Sequence, residues 1–393
     1  MPEMVYLDNA ATTPLDPRVL EAMLPHLRGS RGNPSSLHAP GAAARDAVEE
    51  ARESVAALIG ATPREIVFTS GGTEADNLAV LGLARAAGDK KRVLISAVEH
   101  AAVREAAKHL ETAGYEVERL GVDKNGLVDV GEFADSLKPD TALAAVVWAN
   151  NEVGTVQPVE ELADVCAERG VPLHTDAVQA AGRLPIDTRE VPISTLGLSS
   201  HKLYGPQGVG VLYVREGVGL EPVVFGGGQE RGLRSGTESV ADIVGFGAAA
   251  RLAEEELEHR ARHETVLRDR LISALTSIPG VRLNGHPQKR LPNNVHLAVE
   301  GVEAEGLVLL CDADGYAIGS GSACASGGHK ASPVFLAMGQ GEREAFSAVR
   351  ITVGKDNTPE EIEGFVEVFS RAVEQLRQLS PVYTKIENEK VEH

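Results

Sequence analysis

The sequence is poor in cysteine, in basic charge and in long apolar runs. Its three cysteines among 393 residues have no close pair, which excludes a disulfide framework and a four-cysteine metal site. The 57 carboxylates outnumber the 38 Lys and Arg residues and give a formal net charge of −19, so we expect no direct binding to nucleic acid. No apolar run approaches the roughly 18 residues that span a bilayer, so no membrane contact is expected.

What remains is typical of a folded α/β protein. Apolar residues make up 43% and charged residues 24% of a chain whose length exceeds what one hydrophobic core usually covers. We predict a large domain of residues 15–258, a smaller domain built from 1–14 and 259–380, and a polar tail of 381–393. The first residues lack the basic and apolar segments of a secretory signal, so a cytoplasmic location is predicted.

Short apolar runs alternate with amphipathic helical patterns between about residues 45 and 215. The predicted strands are 66–69, 92–96, 144–148, 171–175 and 209–213, and the predicted helices include 74–87, 102–112, 159–169, 253–275 and 359–379. This alternation favours a mostly parallel sheet with helices on both faces. Ligands of such sheets bind at the carboxyl ends of the strands.

Several strand ends carry candidate site residues. Gly71 and Gly72 lie between a strand and a helix, where free backbone N–H groups and the helix dipole favour an anion such as phosphate. An ordinary capped turn is the alternative. His100 follows the next strand, where a structural histidine is the alternative reading. Asp176 ends a later apolar strand, where a carboxylate is costly to bury unless it faces a cation.

Lys202 follows this carboxylate within a segment of small hydroxyl residues and not in a charged run. A phosphate cradle, a strand-end carboxylate and a following lysine together meet the needs of pyridoxal phosphate. The lysine forms a Schiff base with the cofactor aldehyde, and the carboxylate keeps the pyridine nitrogen protonated. The sequence therefore predicts a pyridoxal phosphate enzyme.

Many further motifs occur in the order known from one family. They are Tyr6–Pro14, Asn33–His38, Ser70–Asn77, Val98–His100, Asn150–Gly154, His174–Gln179, Ser199–Pro206, Arg234–Glu238, Gly319–Ser326 and Val349–Ile351. On these motifs the chain resembles the cysteine desulfurases of the NifS/IscS type, which are class-V aminotransferase-like enzymes. The resemblance implies the aspartate-aminotransferase-like fold of pyridoxal phosphate enzymes (fold type I), with a seven-stranded, mostly parallel sheet and a smaller α/β domain.

The resemblance also implies a role for each matching residue. Lys202 carries the cofactor and moves the substrate α-proton, Asp176 pairs with the pyridinium, and His100 stacks on the ring. The other implied cofactor contacts are Gln179 to the phenolic oxygen, Asn151, and the phosphate-binding Gly72, Thr73, Ser199 and His201. Thr237 is implied to reach the phosphate of the other subunit of a homodimer. Arg350, together with Asn151, is implied to bind the carboxylate of L-cysteine as a bidentate fork.

The three cysteines differ in their surroundings. Cys324 lies in a ten-residue segment, 319–328, with four glycines and three serines, which indicates an exposed thiol able to act as a nucleophile. Cys166 and Cys311 lie in apolar patterns and are predicted to be buried. The resemblance implies that Cys324 receives sulfur as a persulfide for acceptor or iron–sulfur scaffold proteins, and could transiently ligate a transferred iron–sulfur cluster.

Some alternatives remain open at this stage. An aminotransferase, a selenocysteine lyase or a non-catalytic sulfur-relay protein could use the same scaffold. Ala325 stands where the family often has threonine, and the C-terminus lacks the extended tail of some relatives, which leaves the docking of scaffold proteins in doubt. No intrinsic metal site is predicted, since His259 and His263 lie on a charged helix face.

Overall fold

A computed structural model describes residues 4–29, 32–321 and 331–380 of the chain. The strands in these residues are Val5–Tyr6 (β1), Ile66–Thr69 (β2), Arg92–Ser96 (β3), Glu116–Leu120 (β4), Thr141–Ala145 (β5), Leu173–Asp176 (β6), Thr195–Ser199 (β7), Gly210–Val214 (β8), Val281–Leu283 (β9), Asn294–Val299 (β10), Tyr316–Ala317 (β11), Gly319–Ser320 (β12) and Ala348–Thr352 (β13).

The α-helices of the same residues lie between these strands or at the chain ends. They are Pro17–Arg28 (α1), Ala39–Leu58 (α2), Gly72–Ala86 (α3), Ala101–Thr112 (α4), Val130–Ser136 (α5), Val159–Arg169 (α6), Val240–Glu255 (α7), Leu257–Leu275 (α8), Ala304–Ala313 (α9), Pro333–Ala337 (α10), Glu342–Phe346 (α11) and Pro359–Leu379 (α12). Within the described residues, no helix has both the length and the apolar character needed to cross a membrane.

The central sheet has seven strands in the order β2-β8-β7-β6-β5-β3-β4. Strand β8 is antiparallel to both of its neighbours, and the other neighbouring strands are parallel. The predicted α/β class and mostly parallel sheet are therefore confirmed. Because β2, β3, β6 and β7 run in the same direction, their carboxyl ends meet at one edge of the sheet. That edge is where ligands of such sheets bind.

A second sheet holds the later part of the chain. It has the order β12-β13-β10-β9 and is antiparallel, and β1 pairs separately with β11. The apolar side chains around it, from α8, α9 and α12, form a cluster distinct from that of the central sheet. The division of the chain at residue 258 stays a prediction.

The strands β2 and β3 and the helices α6 and α12 have the predicted bounds. The predicted strand 144–148 was placed too late, because the buried apolar run continues past the end of β5 into the following turn. The predicted helix 253–275 is wrong in one respect. Helix α7 ends at Glu255 and α8 begins at Leu257, so the helix is interrupted at Glu256.

A buried ion pair fixes the strand that leads into the candidate anion site. The two nitrogens Nη1 and Nη2 of Arg52 each donate to one carboxylate oxygen of Glu230 at 2.8 Å. The same carboxylate accepts the N–H of Phe68 at 2.8 Å, and Arg52 donates to the carbonyl of Ile66 at 2.9 Å. The ion pair therefore links α2, which carries Arg52, to the backbone of β2 at Ile66 and Phe68.

Replacing Glu230 with glutamine is expected to destabilise the fold by about 3–5 kcal/mol, because it leaves the guanidinium of Arg52 buried without its counter-charge. Urea unfolding at a fixed protein concentration measures this loss. The matched control is Glu49→Gln, since Glu49 contacts Arg52 at 3.2 Å but its side chain is 54% exposed. The control should cost less than about 1 kcal/mol. Equal losses for the two variants would contradict the prediction.

Candidate functional site

The turn between β2 and α3 presents backbone N–H groups at the ligand-binding edge. Gly71 caps α3, and Gly72 is its first residue. A Cβ atom at Gly72 would lie 2.8 Å from Cγ2 of Val178 and 3.6 Å from Cβ of Ser199, so a side chain there would collide with the turn after β6. Glycine thus lets the start of α3 approach Ser199, and the exposed Thr73 follows in the first turn. This arrangement can bind an anion.

Asp176 and His100 face each other across the same edge. Asp176 is the last residue of β6, is 5% exposed, and accepts the N–H of Val178 at 2.9 Å. His100 caps α4 by accepting the N–H of Ala102 at its Nδ1, 3.2 Å away. Burial lowers the pKa of His100, with Lys202 adding to the effect and Asp176 opposing it. The imidazole is therefore neutral near pH 7 and can lie against an aromatic ring.

Lys202 lies in a short 3₁₀ turn, Ser200–Lys202, directly after β7. Its Nζ donates to the carbonyl oxygens of Ala10 at 2.5 Å and Ala11 at 2.6 Å. Gln179 also donates to the carbonyl of Ala10, at 3.0 Å, and its other amide atom, Oε1, is buried and has no hydrogen bond to any residue that the structure describes. The segment after β1 thus runs across the lysine and the glutamine at the site.

Two hydrophilic residues of the proposed site, Ser199 and His201, come shortly before Lys202 in the sequence. Ser199 ends β7 and is buried, and the half-buried His201 contacts the hydroxyl of Thr12 through Nδ1 at 3.0 Å. Burial lowers the pKa of His201 to about 4, and the positive charge of Lys202 acts in the same direction. His201 is therefore a neutral hydrogen-bonding group near pH 7.

Arg350, in the middle of β13, lies beside the loop that contains Asn151. Its Nη1 donates to the carbonyl oxygen of Asn151 at 3.0 Å, and its Nη2 pairs with Oδ1 of Asp8 at 2.9 Å. Asp8 was not predicted from the sequence as part of the site. The arginine side chain is 3% exposed, and its Nε is buried with no hydrogen bond among the described parts of the chain. A carboxylate could reach this guanidinium beside Asp8.

One predicted residue, Thr237, is not brought into this group. Thr237 is exposed in the loop before α7, which is linked to the start of α3 through the ion pair of Arg234 with Glu74 at 2.7 Å. Its role toward another subunit stays a prediction. Cys324 lies outside the described residues. Cys166 and Cys311 are both buried as predicted, and burial raises the pKa of each thiol to about 12, so neither is a nucleophile near pH 7.

Sequence reasoning missed three buried polar residues behind the site: Asp76 on α3, Glu99 before α4 and His174 on β6. They are 1%, 1% and 0% exposed. One signal was present, since Asp76 stands on a helix face whose neighbours Ala75, Leu78 and Ala79 are apolar and buried. A carboxylate in such a position requires a specific partner.

Comparison with known proteins gives three consistent matches. The aminotransferase class-V family matches residues 5–365. A protein named cysteine desulfurase IscS from Methanosarcina thermophila is 44% identical over 382 residues, which cover 97% of this chain and 95% of that protein. A solved structure described as a NifS-like protein is 37% identical with a TM-score of 0.89, and it covers 94% of this chain and 99% of its own.

A second solved structure is described as SspA in complex with cysteine. It is 34% identical to this chain with a TM-score of 0.80, and it covers 90% of this chain and all of its own. The comparisons confirm the family resemblance and the fold class that the motifs predicted.

Proposed function

We propose that this chain, which belongs to the aminotransferase class-V family, is a pyridoxal phosphate-dependent cysteine desulfurase that converts L-cysteine to L-alanine and transfers the sulfur to Cys324. The observation that carries the proposal is the 44% identity to a protein named cysteine desulfurase over 97% of the chain. The matched residues cover 97% of this chain and therefore span both sheets, not only the residues around the proposed cofactor site.

The residues at the sheet edge fit pyridoxal phosphate. The glycine turn before α3 leaves room for a phosphate that a Cβ atom at Gly72 would restrict, and the buried Oε1 of Gln179 has no hydrogen bond within the described residues. The residues that would hold the cofactor are Gly72, Thr73, His100, Asn151, Asp176, Gln179, Ser199, His201 and Lys202, with Thr237 acting from the other subunit of a homodimer. When bound, the cofactor supplies an electron sink for the substrate carbon next to the amino group.

The protein's own residues then perform three tasks. Arg350 would bind the substrate carboxylate, which fixes the orientation of the α-carbon. Lys202 would attach the cofactor and carry the proton that leaves and returns at that carbon. The segment Asp8–Thr12 lies against both residues, since Asp8 pairs with Arg350 and the carbonyls of Ala10 and Ala11 accept from Lys202, so it would limit the access of water.

The thiolate of Cys324 would attack the sulfur of the bound cysteine. The S–S bond forms as the Cβ–S bond breaks, and protons delivered to the carbon skeleton complete alanine. The persulfide on Cys324 is then available to sulfur-acceptor or iron–sulfur scaffold proteins.

The decisive experiment gives the purified protein pyridoxal phosphate, L-cysteine and a dithiol reductant, and measures alanine and sulfide. We expect the two products in equal amounts and a protein mass increased by one sulfur atom when the reductant is left out. 3-Mercaptopyruvate that forms only with an added oxo acid would indicate an aminotransferase instead, and a strict preference for selenocysteine would indicate a lyase. Absence of all these products, in a protein that also binds no cofactor, would overturn the proposal.

Replacing Arg350 with lysine is expected to raise the KM for L-cysteine about 30- to 1,000-fold, because a point charge cannot make two parallel N–H···O bonds and such a loss costs about 2–4 kcal/mol. Steady-state kinetics of alanine formation measure it. The matched control is Arg251→Lys, whose arginine is 59% exposed and pairs with Glu255 on the same helix. An unchanged KM for Arg350→Lys would mean that another group binds the carboxylate.

A further inference from the structure

Three carboxyl groups are buried together behind the proposed cofactor site. Asp76, Glu99 and Asp176 are 1%, 1% and 5% exposed. Carboxyl oxygens of Asp76 and Asp176 and a ring nitrogen of His100 all lie within 4.8 Å of one another. Several buried negative charges at this distance would repel strongly, so the group retains protons near pH 7.

The two carboxyl oxygens of Asp76 have different surroundings. Its Oδ1 lies 3.2 Å from Nε2 of His174, whose Nδ1 lies 3.0 Å from the hydroxyl of Thr195. Burial lowers the pKa of His174 to about 3, so this imidazole is neutral and adds no positive charge. The second oxygen, Oδ2, is buried without a hydrogen bond within the described residues. An ionised Asp76 would therefore leave a buried charge without a cation in contact.

Titratable and charged groups from several neighbouring elements surround Asp76. The titratable and charged groups around it are Asp176 and His174 from β6, Glu99 and His100 from the turn before α4, Arg104 from α4 near Glu99, and Lys202 from the turn after β7 near His100. Burial raises the pKa of Asp76 well above its usual range, and Asp176 and Glu99 raise it further. Burial also raises the pKa of Glu99, to about 7, although its carboxylate accepts hydrogen bonds from Ser96 and from the N–H of Val147, both at 2.6 Å.

A glycine on β7, Gly197, leaves space for the carboxyl group of Asp76. A Cβ atom at Gly197, on β7, would lie 2.5 Å from Oδ1 of Asp76, so a side chain there would displace the carboxyl group. Gly197 pairs with Asp176 across β6 and β7, which puts both carboxyl groups beside the same stretch of backbone. The geometry thus positions Asp76 toward Asp176.

We propose that Asp76 is a positioning residue for the cofactor: held as a neutral carboxylic acid, it donates a hydrogen bond from Oδ2 to the carboxylate of Asp176 and orients that carboxylate toward the ring nitrogen of pyridoxal phosphate. The inference rests on the proposed function, because it requires that Asp176 faces this cofactor. His174 fixes the orientation of the donor from the opposite side, and its own proton is not transferred.

The test uses the cofactor-free protein titrated with pyridoxal phosphate between pH 6 and pH 9, for the wild type, Asp76→Asn and Asp76→Ala. Asparagine is a neutral donor of the same shape as the carboxylic acid. It should bind the cofactor within about threefold of the wild type at each pH. Alanine removes the hydrogen-bond donor to the carboxylate of Asp176 and should weaken binding about tenfold or more at pH 7.

A second measurement does not depend on the alanine variant folding. The infrared spectrum of the wild type at pH 8 should contain a band of a protonated carboxylic acid that is lost in Asp76→Asn. Absence of that difference, or an effect of asparagine as large as that of alanine, would show that Asp76 acts as an anion and overturn the inference. Lower thermal stability with unchanged affinity in both variants would show a purely structural role and also overturn it. Failure of the wild type to bind pyridoxal phosphate would instead refute the proposed function.

Discussion

Replacing Lys202 with alanine is expected to lower alanine formation from L-cysteine roughly 100- to 10,000-fold, the range that a positioned acid–base group contributes. It should also abolish covalent attachment of the cofactor, because no other amine lies in the turn after β7. The carbonyls of Ala10 and Ala11, which accept from Nζ at 2.5 and 2.6 Å, would lose only a donor, so the fold should persist.

Borohydride reduction followed by peptide mass mapping tests this expectation. In the wild type the reduced cofactor should be found on the peptide that contains Lys202, and in the variant on no peptide. Lys108→Ala is a suitable control, since this side chain is 66% exposed on α4. A variant of Lys202 that still traps the cofactor on another lysine would refute the assignment.

Replacing Cys324 with serine is expected to reduce sulfide and alanine production to background while the cofactor stays bound. A serine hydroxyl is scarcely ionised near neutral pH and attacks sulfur poorly. L-cysteine should still change the absorption spectrum, because Lys202, Asp176 and Arg350 are intact. Cofactor retention together with lost turnover separates sulfur transfer from other reactions of this fold.

The two buried cysteines provide matched controls for that experiment. Cys166 and Cys311 are 1% and 0% exposed, so Cys166→Ser and Cys311→Ser bury a hydroxyl in the core. They should lower stability by about 1–3 kcal/mol and leave the sulfide produced per folded enzyme unchanged. Near-wild-type sulfide production by Cys324→Ser would disprove the persulfide mechanism.

The parts of the fold predicted well are those where an apolar run is bounded by turn residues or glycine. Strand β3 follows this rule and was predicted with its observed bounds. Strand β4 was not predicted, because three of its five residues, Glu116, Glu118 and Arg119, are charged and it lies at the edge of the sheet, where burial is one-sided. The break at Glu256 was missed because α7 and α8 have continuous helical propensity on both sides of it.

The site divides in a similar way. Residues at strand ends, such as Asp176 and Lys202, could be found because a short motif places them at the ligand-binding edge. Asp8 and Asp76 could not be found so readily, because their meaning depends on contacts across the fold. Asp8 lies 342 positions before its partner Arg350 in the sequence, and the role of Asp76 depends on its contact with His174 of β6.

The path of the segment Asp8–Thr13 has a consequence for the order in which the protein is made. This segment is synthesised well before its partners, which are His201, Lys202, Arg350 and Thr352. At about 5–20 residues per second, on the order of 20 to 70 seconds separate synthesis of Asp8 from synthesis of Arg350. The central sheet can pack during that interval, but the ion pair between Asp8 and Arg350 cannot yet form. A nascent chain interrupted before β13 would therefore have Lys202 in place but would lack Arg350, the side chain that pairs with Asp8.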